Sequence, residues 1–248
     1  MILHEMVVFA VICIVLGILG FMVWASASIR SGVYLKAFCR EKTDEKVVYL
    51  TFDDGPADST TEVLDILRER GACATFFIIG GNVAGREDIV RRILDEGHEI
   101  GIHSWSHSNT FPLFSMDKMA QDVTKCRTVL ERLAGHGISL FRPPFGVVNP
   151  TIARIVRRLG LRTVGWSIRS FDTAHCSSPT WQEDTLSRIL NRLEPGAVIL
   201  LHDRLPSAPA LLTALLDRLA ASGYRFDRPC RRTIIDADHG NIKPQSTI

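Results

Sequence analysis

The sequence predicts an α/β protein: a distorted, incomplete (β/α) barrel of about seven parallel strands, preceded by one membrane-spanning helix. Three observations predict it. Apolar runs of strand length alternate with amphipathic runs of helix length from Val47 onward, glycines follow four of the helical runs, and residues 6–29 carry no formal charge. A chain of 248 residues suffices for one such unit and calls for no second large domain.

From Val7 to Trp24 the residues are almost wholly Val, Ile, Leu, Phe, Met, Ala and Gly. A bilayer is crossed by about 20 such residues. Residues 1–29 therefore read as a retained single-pass anchor, with a cleaved signal as the alternative because Ala25-Ser26-Ala27 resembles a small-residue cleavage site. The length of the run and the absence of Lys and Arg before it favour the anchor. Arg30, Lys36, Arg40, Lys42 and Lys46 follow the span, which by the positive-inside rule would place the rest of the chain in the cytoplasm. Residues 30–46, with Gly32 and the patch Val33-Tyr34-Leu35, read as a connector packed on the edge of the domain.

The main domain is expected over 47–235, with strands at Val47–Phe52, Ala74–Ile79, Glu99–His103, Leu140–Arg142, Thr163–Ile168 and Ala197–His202, and a weaker one at Tyr224–Phe226. Between them Thr60–Arg70, Glu87–Glu96, Met116–Leu133, Thr151–Leu159, Trp181–Leu193 and Pro209–Ala221 carry apolar residues at helical spacing. Gly71, Gly97, Gly160 and Gly223 stand where a helix ends in a left-handed residue. Residues 236–248 are polar and read as a loose tail.

The formal charge of +2 is spread over mixed acidic and basic residues without basic blocks, which argues against nucleic-acid binding; no protein partner is inferable. Six cysteines, at 13, 39, 73, 126, 176 and 230, form no CxxC pair, so neither a zinc ribbon nor a disulfide framework is read from them. Cys13 and Cys73 read as small buried hydrophobes, and a bridge among the others stays open.

Chemistry concentrates in four polar clusters, each at the end of a strand-like run: Thr51 to Pro56, His103 to His107, Arg142 to Gly146, and Leu200 to Asp203. Parallel α/β folds assemble their sites at the carboxyl ends of strands. His103 and His107 alone are weak evidence for a metal, since such pairs also arise as surface or capping residues. Joined by a carboxylate from Asp53-Asp54, they make a site of two imidazoles and one carboxylate, with coordination positions left for water and a carbonyl. Of two adjacent carboxylates one can ligate while the other takes a proton; a plain turn is the alternative for Asp-Asp-Gly-Pro. His202, ending an apolar run, suits a general acid, and Arg142 can pair with a carboxylate at the mouth. Trp105 and Trp166 are candidates for stacking on a sugar at the mouth, with core packing an equal reading for Trp166.

In this order the motifs TFDDGP, HSWSH, RPPFG and LLH resemble those of the polysaccharide deacetylases that share the NodB homology domain, carbohydrate esterase family 4. The resemblance runs from about Lys46 to Phe226. It implies a metal-dependent hydrolase removing the acetyl group of an N-acetylated sugar in a glycan such as peptidoglycan or a chitin-like polymer. By position it implies Asp53 as base, Asp54, His103 and His107 as metal ligands, Arg142 as the group orienting Asp53, and His202 as acid. Phe145 would offer a backbone N–H to the oxyanion, and Leu200 would line the acetyl pocket. The implied metal is zinc first, with cobalt or nickel also suited to these ligands. Where the family often has Asp-x-x-Asp-Trp, this chain has Arg169-Ser170-Phe171-Asp172-Thr173: Asp172 keeps the residue that orients the acid, while Arg169 and Thr173 alter the groove wall. Phe145 likewise stands where a Tyr is common. A glycan substrate points to an extracytoplasmic domain, against the flanking charges. Rival readings are an O-acetyl esterase or a deformylase of a lipid-linked sugar, and an inactive glycan-binding module.

Overall fold

The first strand, β1 (Val47–Asp53), is buried along its whole length because it lies at the middle of the sheet with packing on both faces. Val48, Leu50 and Phe52 pack in the outer core under the helices, and Val47 and Tyr49 in an inner cluster with Phe38, Phe77, Leu140, Val164 and Val198. The computed structural model describes residues 2–174 and 178–228. The expected tail at 236–248, together with Cys176 and Cys230, lies outside them.

Around β1 the chain alternates as expected: α2 (Thr60–Glu69), β2 (Thr75–Ile78), α3 (Glu87–Asp95), β3 (Glu99–Ile102), α4 (Met116–Ala134), β4 (Leu140–Phe141), α5 (Pro150–Arg158), β5 (Arg162–Thr163), β6 (Ile168–Arg169), α6 (Trp181–Leu190), β7 (Ala197–His202), α7 (Ala208–Ala221) and β8 (Arg225–Asp227). Seven strands form a continuous parallel path in the order β5-β4-β3-β2-β1-β7-β6, and β8 pairs with the start of β1. The path ends at β5 and β6, so the barrel is incomplete. Helix ends follow local chemistry: Ser115 and Asn149 cap α4 and α5 by accepting the N–H groups of Lys118 and Ile152, and Gly135 ends α4 at φ 71°.

The continuous strand expected over Thr163–Ile168 is broken into β5 and β6. Phe38 takes the place of a neighbouring strand there: its N–H donates to the Thr163 carbonyl, and the Gly165 N–H donates to the Phe38 carbonyl. The carbonyls of Val164 and Gly165 accept instead from the Arg142 guanidinium, at 3.0 and 2.7 Å. Of residues 30–46, Phe38 is buried against the sheet, and Glu41 accepts from the Tyr49 hydroxyl and donates its N–H to the Gly196 carbonyl, while Val33 is exposed.

Ahead of them α1 (Ile2–Ala27) is a single helix. Within His4–Ala27 an 18-residue window reaches a mean hydropathy of 3.1, so the helix is long and apolar enough to cross a membrane, as a signal segment also would be. Cys13 is exposed on it rather than buried, Cys73 is half-buried, and both are free thiols, as are Cys39 and Cys126.

Candidate metal centre and active site

Strand register alone brings the first groups together. Asp53, the last residue of β1, is the lateral partner of His202 on β7 and of Phe77 on β2. Two-residue periodicity then puts Thr51 and Asp53 on one face with Leu200 and His202. That face is the barrel interior, where Leu200 is buried beside the site.

The next residue, Asp54, has φ 74° and leaves the strand in the left-handed region. Its Oδ1 lies 3.5 Å from His103 Nε2 and 3.3 Å from His107 Nε2. The ligand atoms of these three residues all fall within 4.8 Å of one another. Asp54 Oδ1 is buried without a hydrogen-bond partner, a costly arrangement for a carboxylate oxygen unless a cation satisfies it. The residues present therefore fit a divalent metal.

Tautomers agree with that fit. His103 Nδ1 lies 2.8 Å from the Arg142 carbonyl, so it carries the proton and donates it there, leaving Nε2 as a lone pair toward Asp54. Burial is the largest influence on the His107 imidazole and pushes it down toward its neutral form. Burial would by itself raise the Asp54 carboxyl, but the contact with His103, together with the neighbouring imidazoles of His107 and His202, outweighs it and holds the group well below the usual carboxylate range. An ionised carboxylate beside neutral imidazoles is the donor set a metal needs.

Arg142 is fully buried, and burial lowers its pKa against the opposing charge of Asp53. Its Nη1 donates to Asp53 Oδ1 at 2.7 Å and to Thr51 Oγ1 at 2.9 Å, while the Phe77 ring lies 4.1 Å beneath. With its other N–H groups on the Val164 and Gly165 carbonyls, the guanidinium has one possible orientation, and so does the Asp53 carboxylate it holds.

Asp172 grips His202 twice: Oδ2 accepts the His202 backbone N–H and Oδ1 meets Nδ1, each at 2.7 Å. Burial works to lower the His202 pKa, but the bond and charge of Asp172, with Asp53 and Asp54 nearby, raise it above its ordinary value. Nε2 is left toward Asp54, 3.9 Å from Oδ2.

The Phe145 peptide is left-handed, at φ 62°, in a tight turn closed by Gly146 and Val147 N–H bonds to the carbonyls of Pro143 and Pro144; its ring stands edge-on to His107. Trp105, half-buried between His103 and His107, packs its ring over Gly80 beside α4 with Lys125 Nζ 3.9 Å from the ring centroid, and Asp122 on α4 accepts its backbone N–H. Trp166 takes the interior position, against Gly146 and near both Arg142 and Arg169.

Further side chains meet the site: Arg204 and Asn82 had no signal in the sequence, while Ser104 and Asp203 fell within the polar clusters without an assigned role. Arg204 Nε donates to Asp54 Oδ2 at 2.9 Å, Asn82 donates to the Asp54 carbonyl, and Ser104 Oγ accepts the His107 N–H. Asp203 is fully buried against Thr60 Oγ1, and burial pushes its carboxyl up to about 7 despite that bond. A side chain at Gly55 would collide with the Asp203 carboxylate, so the turn after Asp54 demands glycine. Gly55→Ala is expected to cost about 1–3 kcal/mol, read as a lower denaturation midpoint.

Comparison with known proteins identifies the family. Residues 40–164 match the model of the polysaccharide deacetylase family. A peptidoglycan-N-acetylglucosamine deacetylase of Bacillus cereus is 34% identical over 74% of this chain and 69% of its own length. One from Listeria monocytogenes is 32% identical over 79% of this chain, which spans only 40% of that protein. The crystal structure of a polysaccharide deacetylase from Bacillus cereus superposes with a TM-score of 0.70 at 32% identity, over 76% of this chain and 94% of that one. On the family match, the identities and the shared fold, the chain belongs to the polysaccharide deacetylase family and is a hydrolase of non-peptide carbon–nitrogen bonds.

Proposed function

We propose that the protein is a metal-dependent deacetylase that hydrolyses the acetamide of N-acetylated sugars in a glycan, peptidoglycan being the first candidate, and releases acetate. The observation that carries this reading is the convergence of Asp54, His103 and His107 beside a second carboxylate held by Arg142 and an imidazole held by Asp172. A divalent cation on Asp54, His103 and His107, zinc first with cobalt or nickel as alternatives, would supply Lewis-acid polarisation of the acetyl carbonyl and a more acidic water.

The chain's own residues do the rest. Asp53, fixed by Arg142, takes a proton from the attacking water. The Phe145 N–H meets the negative charge that grows on the acetyl oxygen, and Leu200 lines the space for the methyl group. His202 Nε2 gives its proton to the departing nitrogen as the carbon–nitrogen bond breaks, with Asp172 keeping the ring charged and oriented. The products are a free amine on the sugar and acetate.

A charged His202 is required, so the rate holds below its raised pKa and falls as pH climbs through it. Asp172→Asn removes the partner that raises that pKa, and the alkaline limb of kcat/KM is expected to move to lower pH, with about a ten- to hundredfold loss at neutral pH. A pH–rate profile of the two chains checks this. The reading itself is tested by mass spectrometry of N-acetylated and O-acetylated oligosaccharides after incubation with metal-loaded protein. New amines support it, new hydroxyls alone indicate an esterase, and no product from any of them indicates a binding module.

A further inference from the structure

Where α1 ends, it docks on the catalytic face. Residues 4–24 are exposed, so the helix projects away from the domain, and burial begins abruptly at Ala25, which is fully buried, and includes Ile29. The Ser26 carbonyl accepts the Val148 N–H at 2.9 Å, Ser31 Oγ donates back to the Ala25 carbonyl, and Ile29 packs with Cys39 over Gly165. Val148 lies two residues beyond the Arg142–Gly146 loop. The next residue, Asn149, reaches the Pro112 carbonyl at 2.7 Å, in the turn that follows His107. Trp24, a residue suited to the membrane–water boundary, directly precedes Ala25, so the bilayer edge falls within about one helical turn, ~5 Å, of this contact.

A second observation points the same way. Outside α1 the exposed large apolar side chains among the described residues are Val33, Leu113, Phe145 and Phe171. Val33 belongs to the segment just after the helix, and the other three stand on loops of the catalytic face. Leu113 is 84% exposed, on the turn that Asn149 ties to the helix end. On the same rim Arg169 stacks 4.7 Å from the Phe171 ring and has no ion-pair partner among the described residues, and Arg204 is half-exposed beside Asp54. Apolar side chains interleaved with cations are what a bilayer surface receives.

We infer that α1 is a retained anchor whose docking lays the catalytic face on the bilayer, so that the substrate is a lipid-linked N-acetylated glycan presented at the membrane surface. This rests on the deacetylase reading and narrows its substrate class. The sugar then reaches the metal site along the surface, with the carrier's phosphates near Arg169 and Arg204. Within the stretch that resembles a signal-cleavage site, Ala25 is buried and the half-buried Ser26 has its carbonyl bonded to the Val148 N–H, in keeping with retention, while Ala27 is exposed.

The test uses the full chain in phosphatidylcholine–phosphatidylglycerol vesicles. Acetate release is compared for a polyprenyl-diphosphate-linked N-acetylated disaccharide in the same vesicles and for soluble N-acetylglucosamine oligomers, with and without a Gly/Ser insertion of about twelve residues between Ala27 and Ser28. The insertion is expected to lower the lipid-linked rate about tenfold and leave the soluble rate unchanged, because it releases the face from the bilayer. In vesicles with brominated acyl chains, Leu113→Trp should add quenched fluorescence, and His136→Trp, on the turn before β4 at the opposite end of the strands, should not. An unchanged ratio of rates, or an unquenched Leu113→Trp, overturns the inference while leaving the deacetylase reading intact. Failure to cleave either substrate overturns the deacetylase reading and the inference with it.

Discussion

Asp53→Asn is expected to lower turnover by at least about 10²-fold while leaving metal affinity unchanged. The amide keeps the size of the carboxylate and an oxygen for Arg142, so the buried network of Thr51, Arg142 and the Val164 and Gly165 carbonyls survives. What is lost is the ability to take a proton. The metal triad does not include Asp53, whose Oδ2 is 3.7 Å from His103 Nε2, so calorimetric titration with zinc should match the unaltered chain. A variant that turns over at near-normal rates would remove Asp53 from the role of base.

His103→Ala should act on both quantities. His103 is buried, with its Nδ1–H fixed on the Arg142 carbonyl and its Nε2 facing Asp54, so truncation removes a ligand and leaves a buried carbonyl unpaired. Loss of Lewis-acid assistance is worth several kcal/mol, and activity is expected to fall by about three orders of magnitude together with zinc affinity. Circular dichroism establishes that the variant is folded. The pair of variants separates the two kinds of residue: Asp53→Asn affects rate alone, His103→Ala rate and binding together. A folded His103→Ala chain with unaltered zinc affinity would contradict the assignment.

The alternation of strands and helices was legible because β1, β2 and β7 are short, mostly apolar runs and the helices that follow β1 carry an apolar stripe. The residues proposed to hold a metal and to move protons were legible as a group because they fall at or just beyond strand ends, where the register of β1 against β7 brings Asp53 and His202 side by side. The break between β5 and β6 was not, since it depends on Phe38, more than a hundred residues earlier, and on Arg142 taking carbonyls that a neighbouring strand would otherwise bond. Nor could spacing reveal the left-handed residues Asp54, Ser104, His107, Phe145 and Phe171, which are neither glycine nor asparagine and hold their conformation through contacts made only in the fold. Arg204 and Asp203 meet Asp54 and Gly55 across some 150 positions, a proximity that periodicity does not encode.

The most direct test is acetate release from an N-acetylated oligosaccharide by the full chain, stripped with chelator and then titrated with zinc, cobalt or nickel. Activity should vanish on stripping and return in proportion to bound metal, reaching its plateau at one ion per chain, as expected of a site formed by Asp54, His103 and His107. A stripped chain that releases acetate at the full rate would contradict that site as the seat of catalysis.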